Sequence, residues 1–159
     1  MRVSVIAVGR LKDSAERGLA DRYIGRFDRV GRAIGLGPVD EVELAESRAQ
    51  NASMRRDEEA AALVARVPER ARTVVLDAGG KQLTSEEFAA LMARWRDEGM
   101  PSVAFLIGGP DGHGAAVTGA DLTLSLGRMT LPHGLARVVL AEQLYRAATI
   151  LAGHPYHRA

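Results

Sequence analysis

The stretch Phe105-Leu-Ile-Gly-Gly-Pro-Asp-Gly-His-Gly114 (FLIGGPDGHG) is a short apolar run that breaks into four glycines and a proline within seven residues. A buried strand followed by a turn this rich in glycine marks a place where backbone approaches something closely, because only a residue without Cβ permits positive φ and tight contact. That something is either a ligand or the next packed element, and the turn by itself leaves both open.

Upstream of it, strands and helices alternate. Arg2–Val8 is β-rich and bounded by Gly9. Asp13 and Glu16 have the spacing of a capping box, and Leu19, Tyr23, Phe27 and Val30 recur at helical intervals. Val39–Leu44 predicts a half-alternating strand. Glu46–Val67 predicts a helix that stops at Pro68, with a loop-like polar front end. Thr73–Asp77 (TVVLD) is a continuous apolar run, as expected of a strand buried on both faces, ending at Gly79-Gly80. Thr84 and Glu87 form a second capping box, with Phe88, Leu91, Met92 and Trp95 at helical spacing behind it and Gly99 as the stop. Val103–Ile107 feeds the glycine turn. A short helical segment, a strand at Leu122–Leu126 and a helix from about His133 to Leu151 complete the chain. Such alternation predicts an α/β fold with a mainly parallel sheet.

At 159 residues the chain is expected to form a single domain, 1–159. It has no cysteine, which excludes disulfides, thiolate metal sites and cysteine nucleophiles and favours an intracellular, cytoplasmic address. The apolar run at the N-terminus is only about six residues, shorter than a signal peptide's core, and no membrane span is expected. The net charge is +1 but unevenly laid out: residues 1–40 and 128–159 each carry +3, and the middle carries −5. The two basic ends either meet in one patch or are scattered solvated charge. The last helix, GLARVVLAEQLYRAATIL, is apolar nearly all round, so it is either central to the core or covered by a second copy, a homodimer. Glu142 and Arg146, at i and i+4, read as an ordinary helix ion pair.

Ligands of open parallel sheets gather at the carboxyl ends of strands, and three exits carry glycine: Leu76-Asp-Ala-Gly-Gly80, Ile107-Gly-Gly-Pro110 and Leu126-Gly127. None matches a phosphate cradle. Gly109 to Gly114 is followed by Ala115-Ala116 where a P-loop has Lys and Ser/Thr, and Gly112-His-Gly114 lacks the third glycine of the dinucleotide fingerprint. No G-x-S-x-G or H-E-x-x-H occurs, and Pro155 keeps His154 and His157 off a regular helix, so no metal site is expected. What remains is a nucleoside-like ligand cradled by backbone.

Four segments in order carry a resemblance: FLIGGPDG at 105–112, Met129-Thr-Leu-Pro-His133, Arg137-Val-Val-Leu-Ala-Glu-Gln-Leu-Tyr-Arg146, and His154-Pro-Tyr-His-Arg158. Together with RVSVIAVGRLK at 2–12 and LDAGGK at 76–81, they make the whole chain resemble the RlmH family, SPOUT-superfamily methyltransferases acting on N3 of a pseudouridine in 23S ribosomal RNA. The resemblance implies a SPOUT-type mainly parallel sheet flanked by helices, with a C-terminal trefoil knot, and a homodimer that uses S-adenosylmethionine on the ribosome. It implies that Leu76, Gly108, Gly109 and the loop Gly127, Arg128, Met129, Thr130, Leu131 and Pro132 form the cofactor pocket. The catalytic candidates are Arg158, His157, Tyr156 and His133: Arg158 as a donor to base oxygen or phosphate, Tyr156 as a stacking ring, and His133, His154 or His157 as a proton acceptor. A frayed tail is the alternative for the last residues. Two departures stand out: Ala147-Ala148 where the family has a larger side chain, and arginine in place of most lysines. The rival functions are a non-catalytic adenosyl-ligand or RNA-binding assembly factor and an enzyme acting on a small metabolite.

Overall fold

The computed structural model describes residues 1–157, except the side chains of Ala116 and His157. Five strands, β1 (Arg2–Val8), β2 (Val39–Leu44), β3 (Ala71–Gln82), β4 (Ser102–Ile107) and β5 (Leu122–Ser125), form one sheet in the order β2-β1-β4-β3-β5. Every pair is parallel. The helices are α1 (Ala15–Gly31), α2 (Ala52–Val64), α3 (Ser85–Asp97) and α4 (His133–Leu151), with 3-10 turns at Arg32–Ile34, Ala115–Val117 and Pro155–His157.

Burial follows from this order. The central strands β1 and β4 are covered on both faces, which is why VSVIAV and VAFLI are apolar but for the buried Ser4; the edge strand β2 is only partly covered and carries Asp40, Glu41 and Glu43. Parallel neighbours need right-handed crossovers, so connections running one way across the sheet lie on one face and those running back lie on the other. The main core lies on the α1, α3 and α4 face, around Phe27, Phe105, Met92, Leu140 and Leu144; a smaller one under α2 gathers Ile6, Leu63, Leu106 and Val117.

Local signals hold with small shifts. Thr84 and Glu87 make the reciprocal capping box. At α1 the cap is Ser14, whose hydroxyl accepts from the Arg17 amide, rather than Asp13. Leu19, expected on the buried stripe, is exposed, and Ala20 takes the inward position. The second helix begins at Ala52 instead of Glu46, because Asn51 caps it by accepting from the Met54 amide, and it ends at Val64, ahead of Pro68. The third strand outruns its expected end at Asp77. Its pairing with β5 skips register between Leu76 and Lys81, and the Gly79 amide donates to the Asp77 carboxylate inside the irregularity.

The apolar last helix is explained largely within one chain: α4 lies between α1 and α3, with Leu140, Ala141, Leu144, Ala147 and Ala148 buried. The small pair Ala147-Ala148 is core surface. Leu135, on the same helix, is 43% exposed, and Met129 just before it is 83% exposed. No helix among the described residues is long and apolar enough to cross a membrane.

Candidate active site

At the carboxyl ends of β3, β4 and β5 lies a cavity of about 570 Å³. The strand exits supply Leu76, Asp77, Ile107, Gly108, Gly109 and Leu124, and the chain then returns from the outer strand through Gly127, Met129, Thr130, Leu131 and Pro132 to His133 at the start of α4. The three glycine-bearing exits thus converge on one space. Arg128 is exposed and stands outside the lining, unlike its neighbours in that loop.

The glycines are explained mainly by the protein's own packing. A Cβ on Gly108 would come within 2.9 Å of the His113 ring, and one on Gly109 within 2.6 Å of the Glu59 carboxylate and 3.1 Å of Val8. The turn is therefore pressed between a histidine on one side and α2 on the other. Arg55 adds a two-pronged clamp to Asp111, at 2.6 and 3.3 Å, and hydrogen bonding to that guanidinium holds the Asp111 carboxyl below its ordinary value. Gly127, by contrast, meets nothing within 4 Å; it is required by its φ of +133°, a conformation that side chains disfavour.

Two residues that sequence reading did not single out organise the walls. Ser125 is buried; its hydroxyl accepts from the Gly127 amide at 3.1 Å and lies 3.1 Å from the Ala78 carbonyl and 3.0 Å from that of Gly127. It joins the β5 exit to β3. His113 places Nε2 2.6 Å from the Leu76 carbonyl oxygen. A polar side chain within a glycine-rich turn was the available signal for His113; nothing in the local pattern distinguishes Ser125.

The catalytic candidates separate in space. His133 lines the cavity, with its Nε2 3.1 Å from the position a Cβ on Gly9 would occupy. Tyr156 is elsewhere: its ring is 4.5 Å from that of Tyr145, its hydroxyl donates to Glu142 at 3.1 Å, and Arg146 lies over its face at 5.2 Å. Burial, then hydrogen bonding with Tyr23 and the Glu142 charge, push its phenol up. His154 sits nearby on the same tail, accepting from the Tyr156 amide at 3.2 Å. Arg158 and the His157 side chain lie outside the described residues. Glu142 and Arg146 form the helix ion pair at 2.7 Å. Among the described residues no group of three His, Asp or Glu is placed to hold a metal.

Behind His133 a buried ionic group locks α4. Arg137, 2% exposed, reaches Glu43 at 2.8 Å and Glu41 at 3.0 Å, and Arg17 of α1 bonds the same two carboxylates. Burial opposes the charge on Glu43, but the Leu11 amide and Arg137 outweigh it and hold its carboxyl below the ordinary value.

A parallel sheet with a largely apolar, glycine-turned cavity at three adjoining strand ends, closed by the loop into the last helix, defines an α/β protein with a ligand-sized pocket at the strand exits. A family model described as predicted SPOUT methyltransferase matches residues 1–157. The chain belongs to that family. Proteins named ribosomal RNA large subunit methyltransferase H from Rhodopseudomonas palustris (strain BisA53) and from Xanthobacter autotrophicus are each 54% identical to it over 160 residues, covering 100% of both chains. The protein of that name from Bradyrhizobium diazoefficiens is 53% identical over the same span.

Proposed function

We propose that this protein transfers the methyl group of S-adenosylmethionine to N3 of a pseudouridine in 23S ribosomal RNA, working as a cytoplasmic homodimer on assembled ribosomes. The observation that carries the reading is the convergence of Leu76, Gly108-Gly109 and the Gly127–Pro132 loop on one cavity with His133 in its lining. The cavity suits the cofactor. Its volume is in the usual ligand range of roughly 300 to 1,000 Å³, and Leu76, Ile107, Leu124 and Leu126 offer apolar surface to a flat base. Backbone at the glycine turns supplies the polar contacts. The return of the chain from β5 across the ends of β3 and β4 to α4 supports the trefoil threading that belongs to this reading.

When bound, the cofactor supplies an electrophilic methyl carbon on a sulfonium. The chain's own part is positioning and proton management. An imide nitrogen attacks well only after losing its proton, and the negative charge then spreads over the flanking carbonyl oxygens. Three titratable side chains line the cavity: His113 is engaged with Leu76 and Asp77 with the Gly79 amide. His133 makes no such bond among the described residues and is the group assigned to accept the proton. Arg158 donates to the oxygens that gain charge. Arg128, exposed beside the cavity, contacts phosphate.

Tail placement supports a shared site. Tyr156 is held against Tyr145, twelve residues from His133 along α4, or about 18 Å at the helical rise. In this reading the tail serves the cavity of the partner copy, and the exposed Met129, Leu131 and Leu135 offer that copy an apolar surface to cover. A net charge of +1 gives few phosphate contacts, which favours a preshaped ribosome over free RNA.

The test is incubation with methyl-labelled S-adenosylmethionine and ribosomes from cells lacking this gene. Label in 23S RNA at a pseudouridine is the expected result; absence of label, or label confined to small molecules, overturns the reading.

A further inference from the structure

The Gly108–Gly114 turn is fastened on two sides, and the fastenings differ. Toward α2 it has the Arg55–Asp111 pair, the contact of Gly109 with Glu59 and Val8, and the contact of Gly114 with the Arg56 carbonyl, which a Cβ would approach to 2.6 Å. Toward β3, across the cavity floor, the side-chain hydrogen bond that ties it among the described residues is the one from His113 to the Leu76 carbonyl.

That carbonyl sits where the regular pairing of β3 with both its neighbours ends. The β3–β4 ladder runs only to the pair Val75–Leu106, and β3 loses regular register with β5 just after Leu76. Leu76 is 8% exposed, and a buried carbonyl without a partner is costly. In the neutral ring, donation from Nε2 leaves Nδ1 unprotonated; that atom is buried, without a hydrogen-bond partner, against Gly108. The imidazole thus fills the gap between the β3 exit and the β4 exit, and a Cβ on Gly108 would meet both the ring, at 2.9 Å, and the Gly112 carbonyl, at 3.0 Å.

We infer that His113 is a positioning residue for the cofactor cavity: by bridging the Leu76 carbonyl to Gly108 it sets the separation of the two walls between which the adenosyl group lies. The inference rests on the functional reading above. It assigns His113 no proton transfer and no contact with the RNA.

Four variants test it: His113→Leu keeps the bulk and removes the donor, His113→Gln keeps an amide donor, His113→Ala removes the ring, and Gly108→Ala crowds it. With S-adenosylmethionine and S-adenosylhomocysteine as probes in calorimetric titrations, His113→Leu should weaken binding about tenfold, because walls no longer held at their separation must be ordered when the cofactor binds. KM for the cofactor should rise in parallel while kcat at saturation and KM for ribosomes change less than about twofold, since uniform binding is what is lost. His113→Gln should recover most of the affinity. Gly108→Ala should weaken binding in the wild-type background and cost distinctly less in His113→Ala, a non-additivity that marks direct contact. A general folding defect would instead lower the melting temperature of the ligand-free protein and leave Gln no better than Leu.

Equal cofactor affinity of His113→Leu and wild type, or additive effects of Gly108→Ala and His113→Ala, overturns the inference while the functional reading stands. If the wild-type protein itself fails to bind either probe, both fall together.

Discussion

The hydroxyl of Ser125 has one proton and two carbonyls within reach, Ala78 and Gly127, while it accepts from the Gly127 amide. One side chain therefore sets where the chain leaves β5 and how it meets β3. Ser125→Ala removes the partner of the half-buried Gly127 amide and of the exposed Ala78 carbonyl, a loss of roughly 1 kcal/mol. Because that amide begins the Gly127–Pro132 loop, part of that loss should surface as weaker cofactor binding, a few-fold at most in a calorimetric titration, with α4 intact by circular dichroism. Unchanged affinity would mean that the loop is held by its other contacts. The glycines teach a related lesson. From sequence the turn at Gly108 and Gly109 leaves open whether a ligand or a packed element lies against it; both line the cavity, and their missing side chains also make room for His113, the Gly112 carbonyl, Glu59 and Val8. Sequence marks that space is needed at a residue without saying what fills it.

At the scale of elements, the position of α4 decides where His133 stands, and that position depends on a charge cluster. Arg137 of α4, Arg17 of α1, and Glu41 and Glu43 of β2 meet where the three elements converge. Removing one member of such a cluster strands the others, so Arg137→Met should destabilise far more than a surface change. The cluster also gives a pH dependence with a defined sign. The Glu43 carboxyl lies below its ordinary 4.5 in the folded protein, so its contribution is complete above about that pH and is lost as pH falls through the lowered value. Urea midpoints measured from pH 6 down to pH 3 should therefore fall more steeply for wild type than for Glu43→Gln. Parallel curves would show that the pair contributes nothing net. The helices themselves were legible from local signals, as the Thr84–Glu87 box shows. Errors of one to six residues arose where neighbouring polar residues competed for the cap, Ser14 over Asp13 and Asn51 over the polar run from Glu46.

For the molecule as a whole, the proposed shared site makes a statement about assembly. Cavity and tail anchor occupy different stretches of α4, so a dimer in which each tail serves the opposite cavity explains both the docking of Tyr156 and the exposed apolar residues near Met129. Mixing subunits damaged in the cavity, by Gly127→Val, with subunits carrying Arg158→Ala should restore about half of the wild-type activity per heterodimer, or about a quarter for an equimolar, randomly paired mixture. No recovery, with heterodimers demonstrated by mass, would place tail and cavity in the same subunit.

Strand and helix alternation, the parallel sheet and the three glycine exits were readable in the chain alone, because apolar periodicity and turn chemistry are local properties that a few neighbouring residues determine. The same holds for the fate of Glu142 and Arg146, an i, i+4 pair that needs only a helix. Which exits share a cavity, why Arg128 stands outside it, that His113 reaches Leu76 thirty-seven positions away, and that Arg137 is buried among charges from two other elements were decided by tertiary structure. These are juxtapositions of residues distant along the chain, set by strand order and crossover direction, and no local pattern of side chains encodes them one by one.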